Sequence, residues 1–265
     1  MNYVVSGQGT AVILLHGLFG NLDNLKTLSN ELDTHYQVIR VDLPNHGKSM
    51  HTDELTFDDI THELSGIFKK LNLTKAHIVG HSMGGKAALA FALSHPDMCL
   101  SITAADIAPS AYPRRHDNVF SGLMSLPLES ITDRKSALVH LMQSGIDNPT
   151  AQFLLKNLQR DEAGFSWKMN LDGLFDSYEN LINWPYQNMQ YSGPCLFIRG
   201  GDSNYVTEVH RKDILSQFPN TQAKTIAGTG HWLHAQKPAI FNRIVKEFID
   251  TSNTDPLSIS SDYHL

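Results

Sequence analysis

The stretch Ala76-His77-Ile78-Val79-Gly80-His81-Ser82-Met83-Gly84-Gly85 decides the fold of this 265-residue chain. Its first four residues are typical of a buried strand, and the Ala- and Leu-rich run after it is typical of a helix. The serine of this G-x-S-x-G pattern therefore lies on a sharp turn from strand to helix, where its oxygen can project into a site. Glycines at positions 80 and 84 remove side chains that would clash with neighbouring elements. The pattern predicts that Ser82 is an activated nucleophile.

Short apolar runs alternate with longer helical patterns on both sides of this turn. Several runs are apolar at consecutive positions, which is typical of strands covered on both faces. The alternation predicts an α/β fold with a mostly parallel sheet flanked by helices. The predicted strands are Ala11–Leu15, Gln37–Val41, Ala76–Val79, Ser101–Ala105, Pro194–Ile198 and Ala223–Ile226. The predicted helices are Leu25–Leu32, Phe57–Leu71, Met83–Ser94, Glu208–Phe218 and Ala239–Ile249.

The alternation stops between about residues 108 and 184. Leucines recur there at helical spacing, Pro and Gly separate the segments, and no strand is predicted. We interpret residues 108–184 as a helical cap inserted into a core made of residues 1–107 and 185–250. Residues 251–265 are polar and aperiodic, which predicts a flexible tail.

The composition excludes several classes of protein. The chain has 21 basic and 27 acidic residues, a net charge of −6, and no basic stripe that would bind nucleic acid or an anionic membrane. Its two cysteines are too few for a disulfide framework or a zinc site. The N-terminal residues do not resemble a signal peptide, and no run is long enough to span a membrane. These features predict a cytoplasmic protein without stable membrane association and without a bound metal.

A serine nucleophile needs a base and donors for the oxyanion. His231, in Gly228-Thr229-Gly230-His231-Trp232, follows the last predicted strand, where the histidine belongs in the chain order that accompanies this motif. His234 is the alternative base. The Met83 N–H at the helix N-terminus is one predicted oxyanion donor. The Leu18 N–H is the other, because Gly17 lets that loop approach the site.

Four motifs together resemble the α/β-hydrolase family over nearly all of residues 3–250. They are His16-Gly17-Leu18-Phe19-Gly20, the Asp42–Ser49 stretch DLPNHGKS, Gly80–Gly85 and Gly228–Trp232. Within that family the chain most resembles the YbfF-type bacterial esterases, through Asp106-Ile107-Ala108-Pro109, Arg114-Arg115-His116-Asp117 and the Gly200–Val206 stretch GGDSNYV. The resemblance implies a hydrolase of carboxylic esters or thioesters, including acyl-CoA, that needs no cofactor.

Two aspartates compete to orient His231. Asp202 follows the penultimate predicted strand, and Asp106 follows the strand after the nucleophile helix. Both loops are expected at the carboxyl edge of the sheet, where such folds bind ligands. Position along the chain slightly favours Asp202. The resemblance favours Asp106, because YbfF-type esterases carry the acid in the D-I-A-P segment and usually have Asn at the position of Asp202. We therefore predict Asp106, with Asp202 as the alternative.

Weaker patterns concern the substrate. Leu18, Phe19, Met83 and Trp232 flank the predicted catalytic residues and would form an apolar wall for an acyl chain. Arg114 and Arg115 could attract phosphates of a CoA-type leaving group, and solvated surface arginines are the alternative interpretation. Three other functions stay open: a carbon–carbon bond hydrolase, a cofactor-free haloperoxidase, and a hydrolase-fold ligand receptor with slow turnover.

Overall fold

A seven-stranded sheet forms the centre of the computed structural model, which describes residues 1–162 and 164–254. The strand order is β1-β3-β2-β4-β5-β8-β9, and every neighbouring pair is parallel except β1 with β3. The strands are β1 Asn2–Ser6, β2 Thr10–Leu15, β3 Tyr36–Asp42, β4 Ala76–His81, β5 Cys99–Ala105, β8 Cys195–Gly200 and β9 Thr221–Ile226, and β6 Leu158–Asp161 pairs with β7 Gly164–Trp167 outside this sheet. The predicted α/β fold and all six predicted strands are confirmed.

Helices cover both faces of the sheet. They are α1 Lys26–Leu32, α2 Phe57–Leu71, α3 Met83–Ser94, α4 Asp117–Met124, α5 Arg134–Gln143, α6 Asn148–Leu154, α7 Leu171–Asp176, α8 Tyr178–Ile182, α9 Arg211–Gln217, α10 Leu233–Gln236 and α11 Pro238–Thr254. Alternate residues of β2 enter different cores, because successive side chains of a strand point to opposite faces. Ile13 packs with α2 and α3, whereas Val12 and Leu14 pack with α1 and α11. This two-sided burial is the reason the strand is continuously apolar in sequence.

The helix that follows the nucleophile is the most deeply buried in the fold. Every residue from Met83 to Leu93 of α3 is buried, and the helix contacts β4, β5 and α2. Small alanines allow this close packing on several sides. Lys86 is the only charged residue in the helix, and it too is buried.

The structure corrects three details of the sequence interpretation. The segment interpreted as wholly helical contains the β6–β7 hairpin, whose strands have four residues each and leave most of β6 exposed, so no apolar pattern marks them. Strand β1 was missed because Val4 and Val5 are exposed on this edge strand. Residues 251–254 are helical rather than part of a tail, since α11 extends to Thr254. Residues 255–265 lie outside the described residues.

Helices α4–α8 and the hairpin lie between β5 and β8, in the segment interpreted as a cap. The division into core and cap stays a prediction. Across residues 1–162 and 164–254, each helix is too short or too polar to cross a bilayer.

Candidate active site

Ser82 occupies the turn between β4 and α3 in a backbone conformation that few L-residues adopt. Its φ is 54° and its ψ is −122°. Such strain persists only where the surroundings enforce it. A Cβ on Gly80 would overlap the Gly84 carbonyl, and a Cβ on Gly84 would overlap the carbonyls of Leu15 and His16. The two glycines therefore allow the tight packing that holds the serine in this conformation.

His231 bonds Ser82 on one side of its ring and Asp106 on the other. Its Nε2 lies 2.9 Å from Ser82 Oγ, and its Nδ1 lies 2.8 Å from Asp106 Oδ2. A carboxylate at Nδ1 favours the tautomer that keeps the proton there, which leaves Nε2 to accept the Ser82 proton. The Tyr205 ring stacks on the imidazole at 3.7 Å between centroids and 17° between planes. His231 is thereby held in the orientation that a general base requires.

Asp106 is fully buried and has every side-chain oxygen hydrogen-bonded. Oδ1 accepts the Gly200 N–H at 3.0 Å, and Oδ2 accepts the Ser203 hydroxyl in addition to the His231 ring. The Asp106 N–H donates to Ile198 O at 2.7 Å, so pairing between the ends of β5 and β8 fixes the position of the residue.

The other candidate acid, Asp202, forms no hydrogen bond with His231 among the residues that the structure describes. After β8 the chain turns, and the Asp202 N–H donates to Thr229 O at 2.9 Å, while the residue itself is exposed. The geometry thus pairs His231 with Asp106 and contradicts the local argument that favoured Asp202. Position along the chain does not reveal the direction in which each loop leaves the sheet.

The predicted oxyanion donors lie on two segments that meet at Ser82. A Cβ on Gly17 would lie 3.2 Å from the Ser82 Cβ, which shows how closely that loop approaches. Within the described residues, neither the Leu18 N–H nor the Met83 N–H has an intramolecular acceptor. Both groups remain available to a negatively charged oxygen beside Ser82.

The loop that carries Leu18 is held by contacts to the next residue. Phe19 has a positive φ of 60°. Its N–H donates to His46 Nε2 at 3.1 Å, and its carbonyl accepts from Asn157 Nδ2 at 2.6 Å. Burial lowers the pKa of His46 to about 3, so the ring stays neutral at neutral pH and can accept this bond.

Two cavities meet at the nucleophile. A small cavity of about 40 Å³ and a larger one of about 270 Å³ share Leu18, Ser82, Arg115, His116 and Tyr205 as lining residues. Met83 lines the small cavity, and Phe19 and Trp232 line the larger one. The residues predicted to form an apolar wall therefore do lie on the cavity walls.

The two arginines differ in position. Arg114 pairs with Asp117 at 2.7 Å and Glu179 at 2.5 Å, and it lines neither cavity beside Ser82. Arg115 lines both cavities and donates to Asn204 Oδ1 at 2.9 Å. Arg114 therefore forms ion pairs at the surface, whereas Arg115 lies at the site.

His234, the alternative base, is buried without a hydrogen bond to Ser82. Burial lowers its pKa to about 3, and its ring packs on His81 at 4.3 Å between centroids. His81 forms no hydrogen bond with Ser82 in the described structure and donates to the His231 carbonyl at 2.7 Å. Burial lowers the pKa of His81 well below its usual value. These two rings support the His231 segment.

Sequence patterns missed Tyr205, Ser203 and Lys86 as residues of the site. Tyr205 and Ser203 lie in the GGDSNYV stretch, but only the fold brings that stretch onto His231 and Asp106. Lys86 lines the small cavity and donates to Ile182 O at 2.9 Å and Asn183 O at 2.7 Å. A single charge inside an otherwise apolar helix was the available signal.

The sheet, the turn at Ser82 and the Ser–His–Asp hydrogen bonds define an α/β hydrolase. The sequence model of the family described as alpha/beta hydrolase fold matches residues 10–238, and the chain belongs to that family.

Among curated proteins, the chain is 36% identical to esterase YbfF of Escherichia coli (strain K12) over 92% of this chain and 94% of that protein. It is 35% identical to an sn-1-specific diacylglycerol lipase of Mus musculus over 93% of this chain and 83% of that protein. Among solved structures, a marine microorganism esterase superposes with a TM-score of 0.90 at 35% identity, covering 93% of this chain and 98% of the other.

Proposed function

We propose that this protein hydrolyses carboxylic esters through an acyl-enzyme on Ser82. The observation that carries the proposal is the continuous hydrogen-bond chain from Ser82 through His231 to buried Asp106, at the junction of two cavities. The names of its relatives as esterases and as a diacylglycerol lipase support ester substrates.

In the first half of the reaction, Ser82 Oγ attacks the acyl carbonyl carbon while its proton passes to His231 Nε2. The carbonyl oxygen becomes an oxyanion and accepts the N–H groups of Leu18 and Met83. Asp106 stabilises the doubly protonated His231 ring without taking its proton. When the bond from carbon to the leaving oxygen or sulfur breaks, His231 Nε2 returns the proton to that atom.

In the second half, a water molecule attacks the acyl carbon of the Ser82 ester. Its proton passes to His231 Nε2, and the same N–H groups bind the second oxyanion. The bond to Ser82 Oγ then breaks, and Oγ recovers the proton from His231. The acid product leaves, and the starting protonation state is restored.

We extend the proposal from carboxylic esters to thioesters, including acyl-CoA. The same steps serve a sulfur leaving group, and the junction of two cavities provides separate space for an acyl chain and a leaving group. A cytoplasmic location stays a prediction from the sequence.

The test compares wild type with Ser82→Ala on p-nitrophenyl butyrate. Wild type should release a burst of nitrophenolate of about one equivalent before steady turnover, and fluorophosphonate should label Ser82. Loss of the nucleophile should lower kcat by a factor on the order of 10⁴ to 10⁶. Ser65→Ala, which changes a buried helix serine bonded to the His62 carbonyl, is the matched control and should keep the burst.

Full activity in Ser82→Ala would refute the acyl-enzyme. Labelling without turnover on any ester would favour a ligand receptor instead. Butyryl-CoA assayed beside the ester tests the thioester part separately, and turnover of the ester alone would limit the function to oxygen esters.

A further inference from the structure

Arg115 is a cation held in place at the junction of the two cavities. Its guanidinium lies 4.7 Å from the centroid of the Tyr205 ring and 5.5 Å from that of the Tyr112 ring. Nη1 donates to Asn204 Oδ1 at 2.9 Å. These three contacts hold the guanidinium in place. Less conformational freedom is therefore lost when it binds a ligand.

No carboxylate lies within 4.0 Å of Arg115 among the residues that the structure describes. Its neighbour Arg114 has two such partners. A guanidinium presents five N–H donors in a planar fork that matches a carboxylate, and the Asn204 bond uses one of them. The Arg115 fork thus has capacity for an anionic partner at the site.

The other ionisable residues at the two cavities have protein partners, are neutral, or are buried behind the cavity wall. Lys86, on the small cavity, donates to the carbonyls of Ile182 and Asn183. Burial lowers the pKa of His116 to about 4, so this ring is neutral at pH 7. Asp147 faces the larger cavity but accepts the Thr150 N–H as a helix cap. Asp106 is fully buried behind His231.

We propose that Arg115 binds a carboxylate of the substrate, so that esters carrying a carboxylate are preferred to neutral esters of the same shape. The inference rests on the proposed esterase function and adds the charge of the substrate to it. The carboxylate can belong to the acyl part or to the leaving group, since Arg115 lines both cavities. The chemistry is the same in both cases, and the test separates them.

The test measures the preference for charge as a ratio of kcat/KM values. For the acyl side, monomethyl glutarate is compared with methyl 5-amino-5-oxopentanoate, its neutral amide of the same shape. For the leaving-group side, 4-acetoxybenzoate is compared with 4-acetoxybenzamide. Each pair is assayed in wild type, Arg115→Gln, Arg115→Lys and Arg114→Gln, so that the intrinsic reactivity of each ester cancels between variants.

A charge-assisted, bidentate contact predicts that Arg115→Gln lowers the ratio at least about tenfold for one pair. That pair identifies the side that carries the carboxylate. Arg115→Lys should keep part of the preference, because it retains the charge without the planar fork. Arg114→Gln should keep the wild-type ratio, and in wild type the ratio should fall as salt is added.

A ratio that changes less than twofold in Arg115→Gln for both pairs would overturn the inference, as would an equal fall in Arg114→Gln. Calorimetric binding of monomethyl glutarate and 4-acetoxybenzoate to Ser82→Ala gives a readout that needs no turnover. At least about tenfold weaker binding of one of them after adding Arg115→Gln supports the inference. If Arg115→Gln leaves the binding of both compounds unchanged, or if neither compound binds to Ser82→Ala, the inference is overturned. Because this readout needs no turnover, it separates failure of the inference from failure of the esterase function.

Discussion

The pairing of His231 with Asp106 rather than Asp202 makes a quantitative prediction for Asp106→Asn. The substitution replaces one carboxylate oxygen by an NH₂ group while keeping the shape of the side chain. An amide oxygen at the Oδ1 position can still accept the Gly200 N–H, now at 3.0 Å. The NH₂ group then occupies the Oδ2 position, 2.8 Å from His231 Nδ1.

Two donors cannot face each other, so His231 must accept at Nδ1 and move its proton to Nε2. In that tautomer Nε2 has no lone pair for the Ser82 proton. The loss of base catalysis and of imidazolium stabilisation should lower kcat by about 10⁴, which corresponds to about 5.5 kcal/mol of barrier. The fold should be retained, because the side chain keeps its volume and the Gly200 bond.

The assay is steady-state release of nitrophenolate from p-nitrophenyl butyrate, with thermal unfolding to confirm that each variant is folded. Asp202→Asn is the matched control, since Asp202 is exposed and the His231 Nδ1 bonds Asp106 instead. It should keep kcat within about twofold, as a surface substitution does. Near-wild-type activity in folded Asp106→Asn, or a large loss in Asp202→Asn, would refute the assignment.

Three further predictions concern stability. Lys86→Met should lower the free energy of unfolding by about 2 kcal/mol, because it removes the two hydrogen bonds that the buried Lys86 ammonium donates to the partly buried segment at residues 182 and 183. Unchanged urea unfolding would contradict this. Gly84→Ala should cost at least about 2 kcal/mol, since its Cβ would overlap two carbonyls, whereas Gly66→Ala, which meets nothing within 4 Å, should be neutral or stabilising in the same assay. Burial lowers the pKa of His16 to about 4 and that of His46 to about 3, so between pH 6.5 and those values the unfolded chain binds protons that the folded chain does not. Each of the two should therefore contribute about 2 kcal/mol to the stability that is lost between pH 7 and pH 5. Other buried histidines with lowered pKa values, such as His77 and His234, add to this loss, and equal stability at both pH values in urea unfolding would contradict the prediction.

The apolar patterns of the chain determined the parallel sheet, because strands buried on both faces are apolar at consecutive positions. The strand, glycine, serine and helix around Ser82 form a local unit whose backbone depends on adjacent residues. Its turn was therefore predictable from sequence. The same holds for the position of His231 after the last strand.

Contacts between distant segments decided which acid orients His231 and which arginine lines the cavities. Asp106 and Asp202 both follow strands, and only the pairing of β5 with β8 and the turn at Thr229 show which carboxylate reaches His231. Arg114 and Arg115 are adjacent in sequence, yet one forms surface ion pairs and the other lines the cavities. Local sequence determines which residues form strands, turns and helices, but the direction of a loop side chain depends on partners far along the chain, which only the tertiary structure brings together.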